Sequence, residues 1–124
     1  MLGSCKIVAL VATADGARAR KFYEETLGLE LVSEDMFAVV FRAGGTMLRV
    51  TKVPATIIAP YAVLGWDVPD ITAVVSGLAA NGVVFQRYEG LAQDELGIWT
   101  TPDGAAKVAW FKDPDGNTLS LTQG

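Results

Sequence analysis

The chain has 124 residues, 51% of them apolar and 19% charged. That is enough to bury one core and too apolar for a disordered tail, so a single domain over residues 1–124 is expected. A net charge of −4 and a pI near 4.6 argue against a phosphate-backbone binder, which needs clustered Lys and Arg to displace counterions, and no nucleic-acid partner is expected.

Histidine is absent, which removes at once the usual neutral-pH general base and the commonest ligand of zinc, nickel and iron. The only cysteine is Cys5. No internal disulfide can form, the thiol reads as a small buried hydrophobe, and a reducing, cytoplasmic setting is expected. Residues 6–13 faintly resemble a signal peptide, but the apolar stretch is short and leads into a helix pattern, so a buried first strand is the better reading. No stretch approaches membrane-spanning length and no membrane partner is expected.

In chain order, residues 6–12 read as a strand, with Lys6, Val8, Leu10 and Ala12 on one face and Ile7, Ala9 and Val11 on the other. Asp15 can cap a helix in which Ala17, Ala19, Phe22, Tyr23 and Leu27 recur at helical spacing before Gly28 closes it. Residues 29–34, 36–42 and 46–53 read as strands. Gly44-Gly45 is a tight turn between the last two, and if Ala43 pairs with Thr46, Val40 stands opposite Arg49.

Residues 53–60, with Pro54 and Pro60, form an extended linker, after which the pattern begins again. Residues 61–68 read as a strand, Asp70 caps a helix through Val74, Val75 and Leu78, and Asn81-Gly82 ends it. Residues 83–88, 96–101, 105–111 and 117–122 supply further strand, residues 89–95 a polar loop, and Thr101-Pro-Asp-Gly-Ala105 a turn. In Asp113-Pro-Asp-Gly-Asn117, Pro114 and Asp115 suit the corners of a type I turn and Gly116 the left-handed residue of a three-residue loop. Closing Asp113 against Asn117 pairs Phe111 with Leu119 and Trp110 with Ser120, which then share one face.

Asp15 corresponds to Asp70, Leu27-Gly28-Leu29 to Asn81-Gly82-Val83 within one residue, and Phe41 and Arg49 to Phe111 and Ser120. The chain thus reads as two tandem βαβββ modules of α+β class, at residues 1–53 and 61–124, joined by a linker at 54–60. Neither half would bury its sheet face alone, so the modules pack together or exchange with another chain.

This duplication, with Asp15 ahead of Phe22-Tyr23 and Leu27-Gly28-Leu29, and with Asp113-Pro-Asp-Gly-Asn117 near the end, resembles the vicinal oxygen chelate superfamily of glyoxalase, bleomycin-resistance and extradiol dioxygenase proteins. The resemblance covers nearly the whole chain and implies a curved mixed sheet around a cleft, commonly closed between two chains, so a homodimer is expected. Metal-dependent members of that family place ligands on the first and fourth strand of each module, and by position those sites fall at Val8, Arg49, Val63 and Ser120. Valine has no donor, arginine is cationic and a serine hydroxyl is a weak ligand, so neither metal nor cofactor is expected. What remains resembles the metal-free bleomycin-resistance branch, whose members sequester antibiotics without altering them.

The residues expected to bind a ligand are Val8, Leu10, Val40, Arg49, Val63, Asp67, Trp110 and Ser120. Arg49 could clamp a carboxylate or stack on a flat ring, or be an edge-strand arginine paired with a surface carboxylate. Asp67 shares a face with Val63 and Gly65; it could bind a ligand cation, pair with Arg49 or reach water. Trp110 suggests an aromatic wall, whereas Trp66 has the opposite parity and reads as helix-side core. Asp113, Asp115 and Asn117 lack the spacing and distal glutamate of a calcium loop, and Cys5 and Tyr23 lack a histidine partner, so no catalytic residue is assigned. A metal-free small-molecule binder is expected. The alternatives are a metal-independent lyase or isomerase, in which Asp67 moves protons and Arg49 stabilises an enolate, and a partner module of a larger assembly.

Overall fold

Alternation of Ala9, Val11 and Thr13 with Val8, Leu10 and Ala12 forms β1 (Val8–Thr13) in the computed structural model, which describes all 124 residues. Val11 and Thr13 are buried while Val8 and Leu10 are exposed, so only one face of the strand packs under a helix. The Asp15 carboxylate accepts from Arg18 N at 3.1 Å and starts α1 (Gly16–Lys21). That helix widens into a π-helical turn over Phe22–Thr26, with Leu27 N donating to Phe22 O at 3.0 Å, and Gly28 at φ 77° ends it. The expected helix is therefore present, but its second half is not α-helical. Its buried Tyr23 ring lies 5.8 Å from that of Phe41.

The unit is completed by β2 (Glu30–Glu34), β3 (Ala38–Ala43) and β4 (Thr46–Lys52). The sheet order is β1-β4-β3-β2, with β1 parallel to β4 and the other pairs antiparallel. Gly44 and Gly45, at φ 54° and 78°, make the two-residue turn that holds Ala43 against Thr46 and Val40 against Arg49, as expected. Val39, Phe41, Leu48 and Val50 form the buried helix-side face. At one sheet end Arg20 and Lys52 meet Glu34 at 3.0 and 2.7 Å, and hydrogen bonds from Lys52 and then Arg20 hold its carboxyl below the usual range.

The chain divides into two units, Met1–Ile57 and Ile58–Gly124, and the second repeats the plan of the first. It contains β5 (Leu64–Asp67), α2 (Ile71–Ala80), β6 (Trp99–Thr100), β7 (Lys107–Lys112) and β8 (Thr118–Gln123), in the order β5-β8-β7-β6. Asp70 caps α2 by accepting from Ala73 N at 3.2 Å, and Gln123 Oε1 takes Ile71 N at 2.8 Å. Ile71, Val75, Ala109, Phe111, Leu119 and Leu121 are its buried core. No helix is long and apolar enough to cross a membrane.

Four expectations need correction. Residues 83–88 are not a strand: only Phe85 bridges Phe111, and Gln86 N donates to Trp110 O at 2.8 Å. The side chain of Gln93 takes over the backbone groups that a ladder would have used, donating to Gln86 O and Gly97 O at 2.9 and 2.8 Å and accepting from Tyr88 N at 2.8 Å. The chain therefore loops out and re-enters only as β6, which is why residues 96–101 yield two strand residues. The first unit has a β-bulge between Leu31 and Ser33 at the matching place. β5 is shorter than residues 61–68; Val63 N still donates to Thr118 O at 3.0 Å, but Pro60 has no amide to extend the ladder. Cys5 is exposed, not buried, because it follows a 3-10 turn at Leu2–Ser4 that lies outside both sheets.

Candidate functional site

Strand registers in the second unit fix which side chains share the face turned away from α2. Trp66 and Leu121 are register partners, as are Leu64 and Leu119, and this set faces the helix. The Trp66 ring stacks on Phe111 at 6.4 Å and is half-buried, so its helix-side orientation is as expected while its burial is incomplete.

The opposite parity makes a helix-free grid. Lys112 pairs with Thr118, which accepts from Val63 N; Trp110 pairs with Ser120, which pairs with Gly65; and Val108 pairs with Trp99 and Thr122, the partner of Asp67. A Cβ on Gly65 would lie 2.7 Å from Ser120 Oγ, so glycine leaves room there for the serine hydroxyl.

Trp110 is the centre of an aromatic cluster. Its ring lies 5.4 Å from Tyr88 at an interplanar angle of 85° and 6.2 Å from Trp99 at 34°. Tyr88 is carried over the sheet by the loop that Gln93 ties down. Beside the cluster lies a cavity of about 560 Å³, walled on the sheet side by Gln86, Trp110, Lys112 and Thr118 and elsewhere by Tyr88 and residues 58–62. That volume falls in the range of small-molecule sites.

On the first unit's helix-free face, Val8 pairs with Met47, and Arg49 sits between Leu10 and Val40. Val8 and Leu10 are 50% and 61% exposed. Arg49 belongs to an interior strand, not an edge, and its charge acts on Asp35. The Asp35 carboxyl is held below the usual range first by the amides of Phe37 and Ala38, at 2.7 and 3.0 Å, and then by Arg49 and Lys52.

The eight residues singled out from sequence thus fall into two sets. Val8, Leu10, Val40 and Arg49 share one face of the first sheet, and Val63, Asp67, Trp110 and Ser120 share one face of the second. Of these only Trp110 lines the cavity, whose other walls the sequence reading missed. Lys112 and Thr118 follow from the same hairpin register two residues closer to the turn, so that signal was present. Gln86 and Tyr88 depend on a long-range bridge and a side-chain clip that no local pattern reveals.

The residues present do not fit a divalent metal. Val8, Arg49, Val63 and Ser120 offer one neutral hydroxyl between them, and no three His, Cys, Asp or Glu side chains come together elsewhere.

A sequence model of the family described as Glyoxalase/Bleomycin resistance protein/Dioxygenase superfamily matches residues 6–121. Among solved structures, a glyoxalase family protein from Enterococcus faecalis is 22% identical, with a TM-score of 0.73 over 97% of this chain and 98% of that one. Lactoylglutathione lyase from Agrobacterium tumefaciens is 18% identical, with a TM-score of 0.71 over 98% and 94% of the two chains. A glyoxalase family protein from Bacillus anthracis is 20% identical, with a TM-score of 0.72 over 93% and 90%. At these identities the likeness is one of fold. No curated protein matches the sequence.

Proposed function

The chain belongs to the Glyoxalase/Bleomycin resistance protein/Dioxygenase superfamily, and from that premise we propose that it is a metal-free small-molecule binding protein of the bleomycin-resistance type. Its ligand is a flat aromatic compound, an antibiotic or aromatic metabolite, held without chemical change. The observation that carries this reading is the cavity beside Trp110 and Tyr88, aromatic on two sides and of ligand size. The lack of a donor set at Val8, Arg49, Val63 and Ser120 supports the metal-free part. A metal-independent lyase or isomerase would use Asp67 and Arg49, and neither lines the cavity.

A native mass spectrum of freshly purified protein is expected to carry an organic adduct or none, and no metal; one retained equivalent of zinc, nickel, manganese or iron after dialysis would overturn the metal-free reading. Trp110→Ala is expected to weaken binding of an aromatic ligand by about 1–3 kcal/mol, the scale of a lost ring contact, and to lower stability by about 2–3 kcal/mol because the half-buried ring also packs on Tyr88 and Trp99. Unchanged affinity in that variant would remove Trp110 from the site.

The same reading includes a homodimer. Strands β1 and β5 each end their sheet with an unpaired edge, and Ile7, Val8 and Leu10 are exposed beside one of them. Sedimentation should give a dimer at micromolar concentration, and a monomer alone would contradict it.

A further inference from the structure

We infer that the ligand of the Trp110 cavity is an aromatic anion, its ring against Trp110 and its carboxylate or equivalent group against Lys112 and Thr118; the inference rests on the binding reading above.

Lys112 is the only charged residue lining the cavity. In a chain with 14 acidic and 10 basic side chains, Arg20, Arg42 and Lys52 all find carboxylates, whereas the Lys112 ammonium group has no ion pair or hydrogen bond. Its register partner Thr118 is buried at 7% exposure, yet its hydroxyl bonds to nothing in the chain. No fully buried side-chain polar atom lacks a partner, so this hydroxyl keeps an opening. The Gln86 amide, beside Trp110 on the cavity wall, is also without a partner in the chain.

An ammonium, a hydroxyl and an amide can all donate, and Lys112 and Thr118 lie directly opposite on paired strands, close enough to act on one group. A cationic ligand would meet Lys112 with no carboxylate on the cavity wall to offset it. A neutral aromatic would leave these donors to water, whereas an anion converts them into charge-assisted hydrogen bonds. Lys112 stands two residues from Trp110 on β7, a separation of about 7 Å. The acidic group therefore sits a short spacer away from the ring, as in an arylacetate.

Calorimetric titration with indole-3-acetate against indole-3-acetamide, and 1-naphthylacetate against 1-naphthylacetamide, tests this at low salt. Each acid should bind about tenfold tighter than its amide, and the gap should shrink as salt screens the exposed ammonium. Lys112→Gln should collapse the acid-to-amide gap to near unity, while Trp110→Ala should weaken acid and amide alike and keep the gap. Equal binding of acid and amide, still lost in Trp110→Ala, would overturn the anion assignment and leave the binding reading standing. Persistence of the gap in Lys112→Gln would also overturn it, and failure of all four compounds to bind at millimolar concentration would sink both readings.

Discussion

Phe111→Ala is expected to lower folding stability by about 3–5 kcal/mol, the range for truncating a buried aromatic ring. Phe111 is 1% exposed, and three separate parts of the second unit converge on it. Its ring lies 6.4 Å from Trp66 on β5 and 5.5 Å from Phe85 in the segment after α2, and its backbone pairs with Leu119 on β8. A hole among paired strands closes poorly because the backbones are pinned by ladder bonds, so the cavity cost adds to the lost transfer energy. Trp66→Ala should cost less, about 2–3 kcal/mol, since its larger ring is only half-buried. Urea unfolding measures both, with the midpoint falling at unchanged slope. A loss below about 1 kcal/mol for Phe111→Ala, or a larger one for Trp66→Ala, would show that the core is centred elsewhere.

How legible the molecule was follows from the range over which each signal acts. Gly44-Gly45 and Asp113-Pro-Asp-Gly-Asn117 are local, and each sets a hairpin whose residue numbers sum to a constant, so Val40 opposite Arg49 and Trp110 opposite Ser120 follow from the sequence. The caps at Asp15 and Asp70 are local too. Residues 83–88 carry a strand composition, but whether they pair depends on Gln93, and its amide competes with the sheet for Gln86 O and Tyr88 N. The same clip places Tyr88 against Trp110, so the misread strand and the missed cavity wall have one cause. Gln123 as a cap for Ile71 spans 52 residues and lies beyond any capping pattern. Cys5 is exposed although its residue type favours burial, because the ladder starts only at Val8.

Asp113→Ala is expected to cost about 2–3 kcal/mol, the scale of a charge-assisted hydrogen-bond set removed from a buried turn. Asp113 and Asn117 are 5% and 7% exposed. The Asp113 carboxylate accepts from Asp115 N at 3.0 Å and Asn117 N at 2.9 Å through Oδ1, and from Asn117 Nδ2 at 2.9 Å through Oδ2. Gly116, at φ 92°, lets the loop close with Asp113 N on Asn117 O at 3.0 Å. Alanine would leave donors in the turn without their acceptor, and burial makes water a poor replacement. Asp113→Asn should cost less, since it keeps Oδ1 as acceptor for the two backbone amides, although its Nδ2 would face Asn117 Nδ2 donor to donor. Asp103 holds a similar turn, accepting from Ala105 N at 2.9 Å and from the Thr101 hydroxyl, but that turn is exposed and alanine there should cost well under half as much. Because Lys112 and Thr118 flank the Asp113 turn directly, the destabilised variant should also bind aromatic acids more weakly while Asp103→Ala binds them normally. If Asp103→Ala proves the more damaging substitution, or if both variants bind alike, the buried carboxylate is not what fixes the register of the cavity strands.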